Sequence, residues 1–193
     1  MAEDRDLIWE EIRTEHIVQD RWIDLRRSAY RFPDGRVFEP YYSYTRRDYA
    51  VVAAVLENGK YLCVRQFRQG IRKVTAEFPA GGIEPGDGTD TAEDRVRLAL
   101  NAAKRELLEE TGYTSDRWTY LMRVPACATI SDKYAYLFAA EGCRKTGEQK
   151  LDEMELLRVE EHTAEELEEM IRREEFAQTD HILAWKLWTD RKK

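Results

Sequence analysis

Cysteine and histidine are scarce in this chain, three of each in 193 residues. Cys63, Cys127 and Cys143 stand singly, in or beside stretches that read as strands. Such a pattern excludes a disulfide or zinc framework and suits reduced thiols used for packing. His16, His162 and His181 are scattered without metal-ligand spacing and read as structural or surface residues. Long apolar runs are missing as well, so neither a signal peptide nor a membrane span is expected, and the setting is expected to be cytoplasmic. There is no excess of positive charge: 31 basic residues face 38 acidic ones, for a net charge of −7. A general nucleic-acid binder would show a basic face, and that class is set aside. An acidic chain can still bind a phosphorylated ligand where a few arginines and a metal converge. Internal repeats and low-complexity linkers are absent too. What remains is 42% hydrophobic and 36% charged, ordinary for one globular domain, or one domain with an arm, that is long enough to bury a core.

From Ile8 to Arg31 apolar and charged residues alternate loosely, as in Trp22-Ile23-Asp24-Leu25-Arg26, which predicts two strands joined near Asp20. Pro33-Asp34-Gly35 is a turn, and 37–44 is an aromatic-rich strand. Residues 1–45 thus read as a β arm, with 46–193 as the main domain. The nearly continuous apolar run Tyr49–Leu56 predicts a central strand buried on both faces. Asn58-Gly59 is a strong hairpin signal, and residues 61–67 return as the paired strand. Arg65, Arg68 and Arg72 gather where that strand leaves toward a Gly-rich loop. They are either phosphate contacts or surface charges.

Later in the chain, 118–124 and 134–140 read as strands joined by a loop over 125–133 that is expected to approach the helix described next. Residues 156–160 form a short strand after the acidic loop Leu151-Asp152-Glu153-Met154-Glu155. Thr163, with Glu166 three residues on, caps a helix over 163–173. An amphipathic helix over 179–188 carries Trp185 and Trp188, which read as core or dimer contacts. Hairpins mixed with three helices predict an α/β domain with a mixed sheet between helical layers.

The stretch Arg105-Glu106-Leu107-Leu108-Glu109-Glu110-Thr111-Gly112-Tyr113 organises the rest. On a helix, Glu106, Glu109 and Glu110 stand at i, i+3 and i+4 and share one face, while Leu107 and Leu108 are expected to point to a core. Gly112 sits where a left-handed C-cap would end the helix. Three carboxylates that close repel one another unless a cation lies among them, and hard oxygen ligands suit Mg²⁺ or Mn²⁺. The plainer alternative is a solvated acidic face paired with Arg105.

Upstream lies Pro79-Ala80-Gly81-Gly82-Ile83-Glu84-Pro85-Gly86-Asp87. This Gly-rich loop and Arg-Glu-x-x-Glu-Glu-x-Gly together resemble the signature of the Nudix hydrolases. Gly81 takes the first glycine of that pattern, and Arg105 to Tyr113 match its second half without a gap. There are two departures. Asp87 stands where the pattern has glutamate, and seventeen residues, not seven, separate it from Arg105. Val96, Ala99, Leu100, Ala103 and Leu107 recur at helical spacing. The insertion is therefore either a helix lengthened toward its N-terminus, capped by Asp90 or Thr91, or a loop.

Val64-Arg65-Gln66-Phe67-Arg68 followed by Glu77-Phe78-Pro79-Ala80-Gly81-Gly82 resembles the ADP-ribose pyrophosphatase branch of that superfamily. The similarity spans about residues 8–188 and is dense over 51–113. The resemblance implies a Nudix-type α/β/α sandwich and a homodimer built partly through the N-terminal arm. It further implies Mg²⁺-dependent hydrolysis of the pyrophosphate bond of a nucleoside diphosphate sugar, ADP-ribose first. GDP-mannose, NADH or mere sensing of a nucleotide sugar are the alternatives. Metal ligation is implied for Glu106, Glu109, Glu110 and the Ala80 carbonyl, with Arg105 holding the glutamates and Arg68 and Arg65 contacting substrate phosphates. Glu77 would orient loop or substrate groups. For the general base the expectation is Glu153, then Glu155, with Glu106 itself as the other option. Lys133 stands where relatives often carry an acid, which points to a shifted sugar preference.

Overall fold

The computed structural model describes residues 4–88 and 94–192. The chain folds as two compact units, one of residues 1–47 and 125–133, the other of 48–124 and 134–193.

The first unit is a three-stranded antiparallel meander of β1 (Glu10–Gln19), β2 (Asp24–Arg31) and β3 (Val37–Thr45). Asp20 makes the first turn by accepting the backbone N–H groups of Trp22 and Ile23 at 2.7 and 3.0 Å, as Asx side chains do in tight turns. Trp9, Tyr30, Phe32, Phe38 and Tyr41 form a run of tilted and edge-on ring contacts, a geometry that aromatic quadrupoles favour. Residues 125–133 join this unit and do not stand alone as a loop. Tyr44 donates its N–H to the Ile130 carbonyl at 2.8 Å, and Asp132 accepts from Arg26 and from the Thr45 hydroxyl. Their partners lie about ninety to a hundred positions away in sequence, so spacing alone could not reveal the attachment.

The second unit is built on one mixed sheet. Its strands are β4 (Tyr49–Leu56), β5 (Tyr61–Arg68), β6 (Lys73–Glu77), β7 (Ala80–Gly82), β8 (Tyr113–Thr114), β9 (Arg117–Pro125), β10 (Tyr134–Lys145) and β11 (Leu157–His162). The order is β11-β5-β4-β10-β8, with β6 on β5, β7 on β4 and β9 on β10. β4 runs parallel to β10 and antiparallel to β5 and β7. Three helices cover the faces: α1 (Arg95–Thr111), α2 (Ala164–Arg172) and α3 (Thr179–Asp190).

Strand β4 shows why the run 49–56 is almost wholly apolar. Side chains alternate along a strand, so Ala50, Val52 and Ala54 enter the core under α1, while Val51 and Ala53 enter the core under α2 and α3. Each Val or Leu so buried stabilises the fold by about 1.5–3 kcal/mol. Ala99, Ala102 and Ala103 keep the contact face of α1 small and let the helix lie close to the sheet. Trp188 belongs to the opposite core, with Trp185 packed against it. The fold is therefore the mixed α/β sandwich that the sequence predicts.

Two expectations for α1 need correction. Leu107 is fully buried, but Leu108 is 39% exposed, because it stands about 100° further round the helix, beyond the face that Ala99, Ala103 and Leu107 bury. The helix does reach back from Arg105, but its first residue is Arg95, after Asp94. Asp90 and Thr91, the expected caps, lie outside the described residues. Among the described residues no helix is long and apolar enough to cross a membrane.

Candidate active site

The C-terminal half of α1 faces β7 and the turn Pro85–Asp87. Gly112 closes the helix at φ 76° and donates its N–H to the Leu108 carbonyl at 2.7 Å, the left-handed cap for which glycine is best suited. A Cβ here would also run into the Gly147 carbonyl. The last turn of α1 is thus pinned to residues 146–150. Thr146 and Gly147 donate to the Gly112 carbonyl, Lys150 N–H donates to the Glu109 carbonyl at 2.8 Å, and Gln149 Nε2 donates to the Glu110 carbonyl at 2.7 Å.

Arg105 knits helix and loop together. Its Nε and Nη2 donate to Asp87 at 3.0 and 3.3 Å, Nη2 also reaches the Gly82 carbonyl at 2.8 Å, and Nη1 donates to Glu106 at 2.7 Å and Glu109 at 3.0 Å. Partial burial opposes its charge, yet Asp87, Glu106 and Glu109 more than offset this and hold its pKa above the ordinary arginine value. Asp87, buried in its turn, also accepts the Glu84 N–H at 2.7 Å. The first acidic position thus keeps a partner in Arg105 despite the long insertion.

Glu106 is 7% exposed and Glu110 is 2% exposed. Gly81 lies so close to the Glu106 carboxylate that any Cβ there would overlap it, which accounts for glycine at this position. Glu110 accepts the Ala80 N–H at 3.0 Å. Burial pushes Glu106 up to about 7, against the pull of Arg105. Burial, reinforced by the charge of Glu106, raises Glu110 well above the usual carboxylate range, with the Ala80 N–H opposing. Three carboxylates, Asp87, Glu106 and Glu109, thus gather around the guanidinium of Arg105, while Glu110 is held by the Ala80 N–H. Two buried, hard-oxygen groups short of positive charge are a donor set that a small divalent cation fits. Among the described residues no three acidic, His or Cys groups are already gathered as an ion cage.

The remaining sequence candidates divide. Glu109 lies on the outer side of the helix, half-exposed and held by Arg105. Glu155 is half-buried and close enough for its charge to raise both Glu106 and Glu110, whereas Glu153 is exposed. Arg65 is committed to Glu160 on β11, Nε to both oxygens at 2.9 Å. Arg68 grips Glu77 through Nε at 2.9 Å and Nη2 at 2.6 Å. Glu77 is 0% exposed and turns its carboxylate to Arg68. His181, read as structural or surface, is fully buried and accepts the Phe78 N–H on Nδ1 at 3.0 Å. Its place on the inner side of an amphipathic helix, next to Ala184 and Trp188 by helical spacing, is the one sign of this in the sequence.

The NUDIX domain family matches residues 46–185. The chain is 31% identical to the ADP-ribose pyrophosphatase of Bacillus subtilis over 157 residues, 80% of this chain and 78% of that one. It is 29% identical to the methanol dehydrogenase activator of Bacillus methanolicus over 174 residues, covering 90% and 88%. A crystal structure of an ADP compounds hydrolase superposes with a TM-score of 0.79 over 95% of this chain and 93% of the other, at 17% identity, a likeness of fold.

Proposed function

Because this chain belongs to the Nudix family and is a pyrophosphohydrolase of its ADP-ribose pyrophosphatase-like branch, we propose that it hydrolyses the pyrophosphate bond of a nucleoside diphosphate sugar, ADP-ribose before others, with Mg²⁺ or Mn²⁺. The observation that carries this reading is the pair Glu106 and Glu110, both buried and both drawn against the Gly loop at Gly81 and Ala80.

In the reaction, water adds to one phosphorus of the P–O–P bridge and the bridging oxygen leaves with the other phosphate. ADP-ribose would give AMP and ribose 5-phosphate. Glu106, Glu110, Glu109 and the Ala80 carbonyl would hold the cation. When bound, it neutralises phosphate charge that otherwise repels the water. Arg105 keeps the glutamates facing the loop, a supporting task that metal sites depend on. Arg68, aimed by Glu77, holds a substrate phosphate. Glu155 accepts the proton of the attacking water, since a carboxylate outside the metal's ligand set keeps its basicity. Residues 1–45 are assigned as an arm that joins two copies, with 46–193 as the hydrolase domain. The exposed Trp9, Val37, Phe38 and Tyr42 support that assignment. The free thiols of Cys63, Cys127 and Cys143 fit a cytoplasmic setting.

The test is a Mg²⁺-dependent hydrolysis screen over ADP-ribose, ADP-glucose, GDP-mannose and NADH, with products separated by ion exchange. Turnover of ADP-ribose at the highest kcat/KM is expected. No turnover of any of the four in the presence of Mg²⁺ or Mn²⁺ would overturn the reading. Sedimentation of the intact chain, and of a chain lacking 1–45, tests the arm: a monomeric intact chain at micromolar concentration counts against it.

A further inference from the structure

The first turn of α3 touches the chain at Glu77 and at Phe78, where β6 ends. Phe78 lies just past the last β5–β6 pair, Val64 with Glu77, and before β7. Its N–H is therefore beyond the ladder, and a buried orphan N–H is costly. His181 Nδ1 takes it at 3.0 Å. Only an imidazole without a proton on Nδ1 can accept there, so the ring proton sits on Nε2. That nitrogen faces Asp180 at 3.8 Å and Glu77 at 4.0 Å. Asp180 is itself held by the Tyr49 hydroxyl at 2.7 Å. Two residues beyond Phe78, Ala80 presents its N–H to Glu110.

Gln178, the residue that caps α3, works on the other side of the same strand end. Its Nε2 donates to Glu77 Oε2. Glu77 also receives the Thr75 hydroxyl at 3.4 Å and the Arg68 fork. With its lone pairs so occupied, the carboxylate has one orientation, and the bidentate geometry passes it to the guanidinium. Arg68 keeps about a third of its side chain in solvent.

We propose that the first turn of α3 is a positioning element with two separate outputs, in which His181 sets the Phe78–Ala80 backbone against Glu110 while Gln178, through Glu77, sets the angle of Arg68. Neither residue touches substrate. The proposal rests on the functional reading above, since it assigns the first output to cation binding and the second to phosphate binding. A purely structural histidine and glutamine would lower stability alike and would not separate the two.

The experiment uses the full chain and the variants His181→Asn, His181→Leu and Gln178→Leu. Asparagine places Oδ1 where Nδ1 stands and keeps the acceptor; leucine removes it. His181→Leu is expected to weaken Mn²⁺ binding, measured by calorimetry without substrate, and to lower kcat, each about 10-fold, the scale of losses from supporting groups behind a metal site. The Phe78 amide should then exchange with solvent faster. His181→Asn should restore Mn²⁺ affinity, kcat and slow exchange to within about 3-fold of the parent. Gln178→Leu should raise KM about 10-fold with kcat and Mn²⁺ affinity nearly unchanged. A folded asparagine variant as impaired as the leucine one, or a leucine variant with parental Mn²⁺ affinity, overturns the His181 assignment. Parental KM in Gln178→Leu, or equal loss of kcat and KM there, overturns the other. Should His181→Leu fail to fold, His181→Asn decides alone: parental exchange and affinity support the proposal, and loss of either ends it. If the parent cleaves no nucleotide sugar, the substrate reading falls, while Mn²⁺ affinity and Phe78 exchange still judge His181, and ADP-ribose affinity judges Gln178.

Discussion

Two buried carboxylates flank the segment that runs from β6 into the Gly loop, and they live under opposite conditions. Glu77, at its start, receives the Arg68 fork, the Thr75 hydroxyl and the Gln178 amide. Glu110, near Ala80, receives among the described residues the Ala80 N–H alone and faces the charges of Glu106 and Glu155 besides. A buried charge is tolerated when it is paired and hydrogen-bonded, and is costly otherwise. Glu77 is thus complete as the protein stands and belongs to the scaffold. Glu110 is incomplete, and what it lacks is positive charge. Burial alone does not distinguish a functional carboxylate from a structural one; the tally of donors does.

The comparison can be broken most sharply at Glu110. Glu110→Gln should lower kcat by at least ~10²-fold, the scale on which a major electrostatic contact is lost, with little change in the melting temperature of the metal-free protein. Steady-state kinetics and a thermal melt check both halves, and a large fall in stability with intact turnover would reverse the assignment. Glu155→Gln should lower kcat by about 10²-fold, the lower range for a lost general base, and leave Mg²⁺ affinity unchanged by calorimetry. Glu153→Gln should behave as the parent. Equal effects at 153 and 155 would show that proximity to Glu106 and Glu110 is not what matters.

At the other end, Glu77→Gln should behave as a stability mutation first, with a loss of about 2 kcal/mol by denaturant titration, the range for hydrogen bonds to charged groups. The smallest effect concerns pH. The folded pKa of Glu106 is raised to about 7 from 4.5, so between these values the folded state holds more protons than the unfolded one. The stability of the metal-free protein therefore falls as pH rises through that window. A cation binds the deprotonated form and returns the loss. The stabilisation by Mg²⁺, read from denaturant titration, should accordingly be larger at pH 8 than at pH 5.5, by on the order of 1 kcal/mol, the worth of one pKa unit.

What could be read from the sequence was local. The run 49–56, the Asn58-Gly59 turn, the Thr163 capping box and the Arg105–Gly112 stretch each declare themselves within a few residues, and each stands where expected. What escaped depends on partners far along the chain. Phe78 and His181 are 103 positions apart, and Gln178 and Glu77 are 101 apart. No periodicity links such pairs, so His181 read only as a structural or surface histidine and Glu77 only as a group that orients loop or substrate. Leu108 failed for a different reason, since it stands about 100° round the helix from Leu107 and falls past the edge of the buried face. Glu153 and Glu155 stand two residues apart in a loop without a repeating pattern, so spacing gives no basis for ranking them.

The attachment of residues 146–150 to the end of α1 has a bearing on entropy. A helix leaves its last carbonyls unsatisfied, and here those of Glu109, Glu110 and Gly112 are taken by the segment that leads to Glu155. Fixing one residue's backbone costs roughly 1–2 kcal/mol, and that ordering is already complete in the folded chain. Asp152 and Glu155 tie the far side, N–H to carbonyl at 2.9 Å and N–H to carboxylate at 3.0 Å. On the proposed function, a substrate arriving at the glutamates would have no long loop to freeze; it would have one carboxylate to draw away from the Asp152 N–H, a change of a single hydrogen bond.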